Sequence, residues 1–333
     1  MGLPGKSGIR RDNDSGPADW LDRCSHLRRY GRCRQDYRAS YLLNRSGVFS
    51  AEQIDDLDHA RDVLTRYSKY YDTQTIKMYM SGNRQQRQWI IMAAKEQGLM
   101  PTTEGGLDLK YNLEMLIDGY SGQEHSYPVY PLYNDVVTLT ARSGIAYTPT
   151  LIVSYGGPFG ENYFYTRENP HDDPKLRRFT PHDQLDQRTR RRGAGTGPGP
   201  GGWFMEDEHV FQDHAAVAND IIEAGGRIGV GSHGQLQGLG YHWELWMLQS
   251  GGMTEHDALR AATILGAESI GLDSDVGSIE SGKLADLVIL GANPLDDIRN
   301  TNTVDRVMKN WRLYEGDTLN EVWPRQRPLG ELT

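Results

Sequence analysis

Cysteine is nearly absent from this 333-residue chain: there are two, Cys24 and Cys33, too few for a disulfide framework or a zinc knuckle. No apolar run reaches the roughly 18 residues that a membrane-spanning helix requires. Met1 to Arg11 lack the apolar stretch of a secretory signal, which leaves the location unassigned. Basic residues are outnumbered, with 36 Lys and Arg against 45 Asp and Glu and a formal charge of -9, which argues against nucleic acid as a partner. The stretch GAGTGPGPGG lacks the Lys-Ser/Thr of a phosphate-binding loop and sits inside a long insertion instead of after a strand. There is also no His-x-His pair anywhere among the 10 histidines.

What is present reads as α/β. Hydrophobic residues make up 37% of the chain, enough with 38 Gly to build a core. Residues 1–46 are Arg-rich at about 10–46 and without apolar periodicity. A one-nucleotide shift with permissible codons turns about 20–46 into a strand-and-helix text, so this segment is expected to be frame-shifted or disordered. Residues 47–273 alternate helix-like and strand-like segments, the pattern of a parallel sheet. TIKMYM, LMPTT, GQEHS, IAYTPTLIVS and RIGVGS each read as a strand that follows a helix. In such folds the C-terminal strand ends are where chemistry collects. Residues 154–205 interrupt the rhythm with a Gly/Pro- and Arg-rich insertion suited to a lid or substrate loop. Residues 274–325 read as a short β-rich segment, and 326–333 as a tail.

The stretch GGMTEHDALRAATILGAESIGLDSDVGSIESGKLADLVIL, within 224–315, resembles the C-terminal end of an amidohydrolase-superfamily chain of the imidazolonepropionase-like or prolidase-like branch. TIKMYMSGNRQQRQWIIMAAKEQGLMPTTEGGLDL and GSHGQLQGLGYHWELW look like the subgroup often fused to a TolB-like propeller, which this chain does not contain. The resemblance implies a (β/α)8 barrel, here incomplete at its N-terminal side, with a small C-terminal β-sandwich portion. It also implies hydrolysis of C–N bonds in amides, cyclic amides or peptides by metal-activated water. Zinc, as one or two ions, suits a ligand set of imidazole and carboxylate, with manganese and iron left open. The partners implied are a small-molecule or peptide amide substrate, with a homo-oligomer open.

Residue by residue, the resemblance places Lys77 at the strand-four lysine that bridges two metals when carbamylated. It places Glu104 at the strand-five histidine position, His125 at the strand-six histidine, and His233 where an Asp normally serves as ligand and proton acceptor. His233 is thus the candidate catalytic group as well as a ligand. His242 and Glu244, at the head of the next helix, are candidate substrate-binding residues. The residues also admit plainer readings. Lys77 could be a buried lysine with a carboxylate partner, Glu104 a cap on the following helix, and His242 and Glu244 part of a packed aromatic cluster. His209 and His214 read as a solvated helix face, and Arg188–Arg192 as a solvated loop; His171 and His182 could touch substrate. Without the His-x-His pair of the first barrel strand, the alternative is a non-catalytic remnant or binding module that keeps the barrel shell.

Overall fold

A computed structural model describes residues 47–49, 52–70, 73–189, 204–234 and 236–330. The expected frame-shifted or disordered segment 1–46, Cys24 and Cys33 included, lies outside the described residues, as does the Gly/Pro tip of the insertion.

The chain opens with β1 (Gly47–Phe49), α1 (Leu57–Thr65), β2 (Thr75–Tyr79), α2 (Arg84–Glu96), β3 (Met100–Glu104), α3 (Leu109–Asp118), β4 (Gly122–Glu124), α4 (Asn134–Ser143) and β5 (Ala146–Thr148). Next come α5 (Gly160–Tyr165), α6 (Pro174–Phe179), α7 (His182–Arg188), α8 (Phe211–Glu223), β6 (Arg227–Ile228), α9 (Leu239–Ser250), α10 (Glu255–Ala262) and α11 (Ile264–Ser269). Strands β1 to β6 form one sheet in sequence order, and every pair is parallel. Among the described residues these are six of the eight strands that close a (β/α)8 barrel. A second sheet, ordered β10-β9-β8-β7, is antiparallel and comprises β7 (Leu287–Leu290), β8 (Val304–Lys309), β9 (Arg312–Glu315) and β10 (Glu321–Trp323).

Strand alternation decides what faces the interior. In β2, Ile76 and Met78 are fully buried in an apolar cluster with Ile90, Ala93 and Ala94 of α2, which leaves Lys77 for the opposite face. Register carries that face across the sheet: Lys77 pairs with Thr102, Glu104 with Glu124, and Glu124 with Thr148. Helix ends are set locally. Asn83 and Gln86 form a capping box at α2, and Gly119 and Gly144 take left-handed C-cap positions after α3 and α4.

Two expectations change. The apolar run Leu151–Val153, which reads as a continuation of β5, is a 3-10 turn. Thr150 turns left-handed at φ 52, and the Glu244 carboxylate takes the amides of Leu151 and Ile152, so a tertiary contact ends the strand. The insertion is not a plain loop either: its described part holds α5, α6 and α7, whose Phe164, Leu176 and Leu185 are buried in the larger apolar cluster.

Candidate active site at the strand ends

Glu104 closes β3 and Glu124 closes β4, directly opposite each other in register. Like charges so placed repel, and Lys77 answers both. Its Nζ lies 2.5 Å from Glu104 Oε2 and makes a close hydrogen-bonded contact with Glu124 Oε2. Lys77 is thus a partly buried lysine between two carboxylates. Glu104 does not cap the next helix, because Asp108 accepts from Lys110 N at 2.9 Å and does that work.

His125 follows β4, and regular alternation would send its side chain to the other face. Its backbone instead turns left-handed at φ 72, with its amide donating to Thr148 O at 2.8 Å. A non-glycine residue in that region is costly unless the surroundings fix it. Here the turn sets Nε2 2.6 Å from Glu104 Oε1, with the imidazole only 4% exposed. The Tyr155 ring stacks on it at 5.2 Å, and the His233 ring lies 5.3 Å away at 57°. His233 sits beyond β6 on exposed, left-handed backbone at φ 56.

Burial works to raise the Glu104 pKa, but the His125 hydrogen bond and charge and the Lys77 ammonium overcome it and hold the carboxyl at about 2. Burial pulls Lys77 down, yet Glu124 and Glu104 carry it above its ordinary value. Burial pushes the Tyr155 phenol up, so it stays a donor, directed to Gly105 O at 3.3 Å.

Of the residues expected at the site, Lys77, Glu104, His125 and His233 come together. His242 and Glu244 engage other partners. His242 Nδ1 faces Thr301 Oγ1 at 3.2 Å, and burial lowers its pKa to about 4. Glu244 is fully buried, accepts from Leu151 N at 2.7 Å and Ile152 N at 2.9 Å, and is raised to about 8 by that burial. His209 and His214 are not a solvated face: both are buried, and His214 Nε2 donates to Tyr155 O at 3.0 Å. Arg188 is tied down, donating from Nη1 to Gly234 O at 2.9 Å. Sequence reasoning missed Glu124 and Tyr155; the signal for Glu124 was its place beside His125 at the same strand end.

The donor chemistry suits one divalent cation. Two carboxylates already enclose a positive charge, and His125 Nε2 lies beside them, 2.6 Å from Glu104 Oε1. A second ion is not matched, since no His-x-His pair exists. As arranged, the Lys77 ammonium takes the cation position. Among the described residues, the group of three ligand residues whose donor atoms lie within 4.8 Å of one another is not this one but His171, His182 and Asp186.

Comparison with known proteins matches residues 84–316 to the amidohydrolase family. An imidazolonepropionase from Shouchella clausii is 42% identical over 79 residues, 22% of this chain and 18% of that protein. A guanine deaminase from Escherichia coli is 36% identical over 91 residues, 26% and 21% of the two chains. Among solved structures, a Xaa-Pro dipeptidase aligns with a TM-score of 0.55 at 22% identity, covering 79% of this chain and 59% of that one. Bottromycin amidohydrolase aligns at 0.57 and 17% identity, covering 80% and 61%. The chain thus spans about a fifth of the curated relatives and three fifths of the structural neighbours. No described helix is long and apolar enough to cross a membrane. Because the family match takes in more than half of its length, the chain belongs to the amidohydrolase family.

Proposed function

We propose that the strand-end cluster is the reaction centre of a metal-dependent hydrolase that cleaves C–N bonds of small-molecule or peptide amides. The observation that carries this reading is the Glu104–His125 contact at 2.6 Å, made by the ends of adjacent strands and reached only through left-handed backbone. Glu104 and His125, with His233 nearby, are the residues to hold a divalent ion, zinc by donor type. When bound, such an ion polarises the amide carbonyl and lowers the pKa of water. The chain's own groups do the rest. Glu104 fixes the His125 ring, Tyr155 covers its face, and exposed His233 moves the proton from attacking water to the departing amine nitrogen. Lys77 neutralises the carboxylate pair of Glu104 and Glu124.

A second reading, a non-catalytic amidohydrolase-like shell, is favoured by the missing His-x-His pair and by Lys77 in the cation position. One experiment separates the two. The full chain is dialysed against zinc, freed of excess metal, and assayed on prolyl dipeptides and cyclic amides. Retained zinc with turnover that falls by about 10²–10⁴-fold in His233→Ala supports the hydrolase. No retained zinc at the strand ends and no turnover support the shell.

A further inference from the structure

The insertion carries a second constellation of ligands. His171 sits in a 3-10 turn (Pro170–Asp172), where its amide donates to Asn169 Oδ1. His182 and Asp186 lie one turn apart on α7, the i,i+4 spacing that places two side chains on the same face. Leu176 and Leu185 are buried in the main apolar cluster and fix α6 and α7 beneath them. His171 Nε2 is 3.4 Å from Asp186 Oδ1, and His182 Nε2 is 3.6 Å from Asp186 Oδ2. The two imidazoles lie 5.6 Å apart at 70°. An ion with ligand bonds of about 2.0–2.1 Å in tetrahedral geometry separates its donors by about 3.3 Å. The donor atoms of the three residues lie within 4.8 Å of one another, so an ion would draw them together, and it would replace the contact of His171 Nε2 with Thr189 Oγ1 at 3.2 Å.

We propose that His171, His182 and Asp186 form a zinc-class divalent metal site, separate from the strand ends, that pins the insertion. Two imidazoles and one carboxylate favour zinc-like ions over calcium or magnesium, which take oxygen ligands. The His182 side chain is 83% exposed, so an ion reaches the site without the fold opening. The residue ending α7 gives the site reach. Arg188 donates from Nη1 to Gly234 O, next to His233, and its own carbonyl accepts from Tyr165 Oη at 2.9 Å. An ion that fixes α7 therefore fixes the anchor of the loop that carries His233.

The test is zinc titration of the full chain by calorimetry and thermal melting, with His182→Ala, Asp186→Asn and His125→Ala beside the wild type. The expected result is a zinc equivalent that raises the melting temperature, persists in His125→Ala, and is lost in both His182→Ala and Asp186→Asn. The exposed position of His182 makes its substitution safe for folding. Unchanged zinc binding in His182→Ala, or no zinc binding by the wild type, overturns the site. Loss of the strand-end ion alone, in His125→Ala, leaves this equivalent in place, so failure of the proposed reaction centre and failure of this site read differently.

Discussion

Glu104 and Glu124 stand opposite each other on neighbouring parallel strands, and the ammonium of Lys77 lies against both. Two carboxylates in register are unfavourable without a cation, so whichever cation is there decides the state of the site.

Lys77→Ala leaves the pair without a counter-charge. Removing one partner from a buried pair costs up to about 3–5 kcal/mol, and partial exposure of Lys77 brings the expected loss nearer about 2 kcal/mol in metal-free buffer. Zinc is expected to restore that stability, and zinc affinity at the strand ends is expected to rise. A carbamylated bridging lysine would give the opposite, weaker zinc binding on substitution. Urea unfolding with and without chelator, together with calorimetry, reads both.

Glu104 sets an acid-side dependence. Its folded pKa of about 2 lies below the ordinary 4.5, so its contribution is complete above about pH 4.5 and disappears as pH falls through about 2. Glu104→Gln should be less stable at neutral pH and should lose less stability on acidification than the wild type. Chemical denaturation at a series of pH values checks this.

Glu244 works in the other direction. Its folded pKa of about 8 exceeds the ordinary 4.5, so the folded state holds the proton more tightly and stability declines as pH rises from about 4.5 to about 8. A tenfold difference in proton affinity between the folded and unfolded chain is worth about 1.4 kcal/mol. Glu244→Gln removes that decline, while losing one of the two acceptors that end β5 at Leu151 and Ile152. A flatter melting-temperature profile between about pH 5 and 8 is the expected readout.

His242 is depressed to about 4 from an ordinary 6.5 by burial and by Lys175. The stability of the neutral ring is present above about pH 6.5 and is lost as pH falls through about 4. His242→Asn is expected to abolish that part of the acid-side loss and to leave KM for an amide substrate unchanged. Melting curves and initial rates at several substrate concentrations measure the two effects.

Much of the frame is legible in the sequence. The helix-strand rhythm located β2, β3 and β4, and the motif around Gly277–Ile289 identified the family. Lys77, Glu104 and His125 could be named because the resemblance to the amidohydrolase superfamily matches them to that family's ligand positions at the strand ends. What stayed hidden depends on contacts distant in sequence. Leu151–Val153 has a strand's composition, but Glu244, far along the chain, takes its amides. His214 has a solvent-facing neighbourhood in sequence, yet it is buried against Tyr155 O. Tyr155 follows β5 in a Gly-rich stretch, and only the fold lays its ring over His125. The left-handed turn at His125 carries no sequence mark either, since glycine is the usual signal for that backbone.

If the strand-end carboxylates and imidazole hold a catalytic cation, as proposed, zinc must bind between β3 and β4. Diffraction at the zinc absorption edge, on crystals grown with zinc, tests it most directly. The expected result is an anomalous peak beside Glu104 and His125, with Lys77 Nζ displaced from between the carboxylates. No peak there, with Lys77 still contacting Glu104 and Glu124 in the presence of zinc, would contradict it.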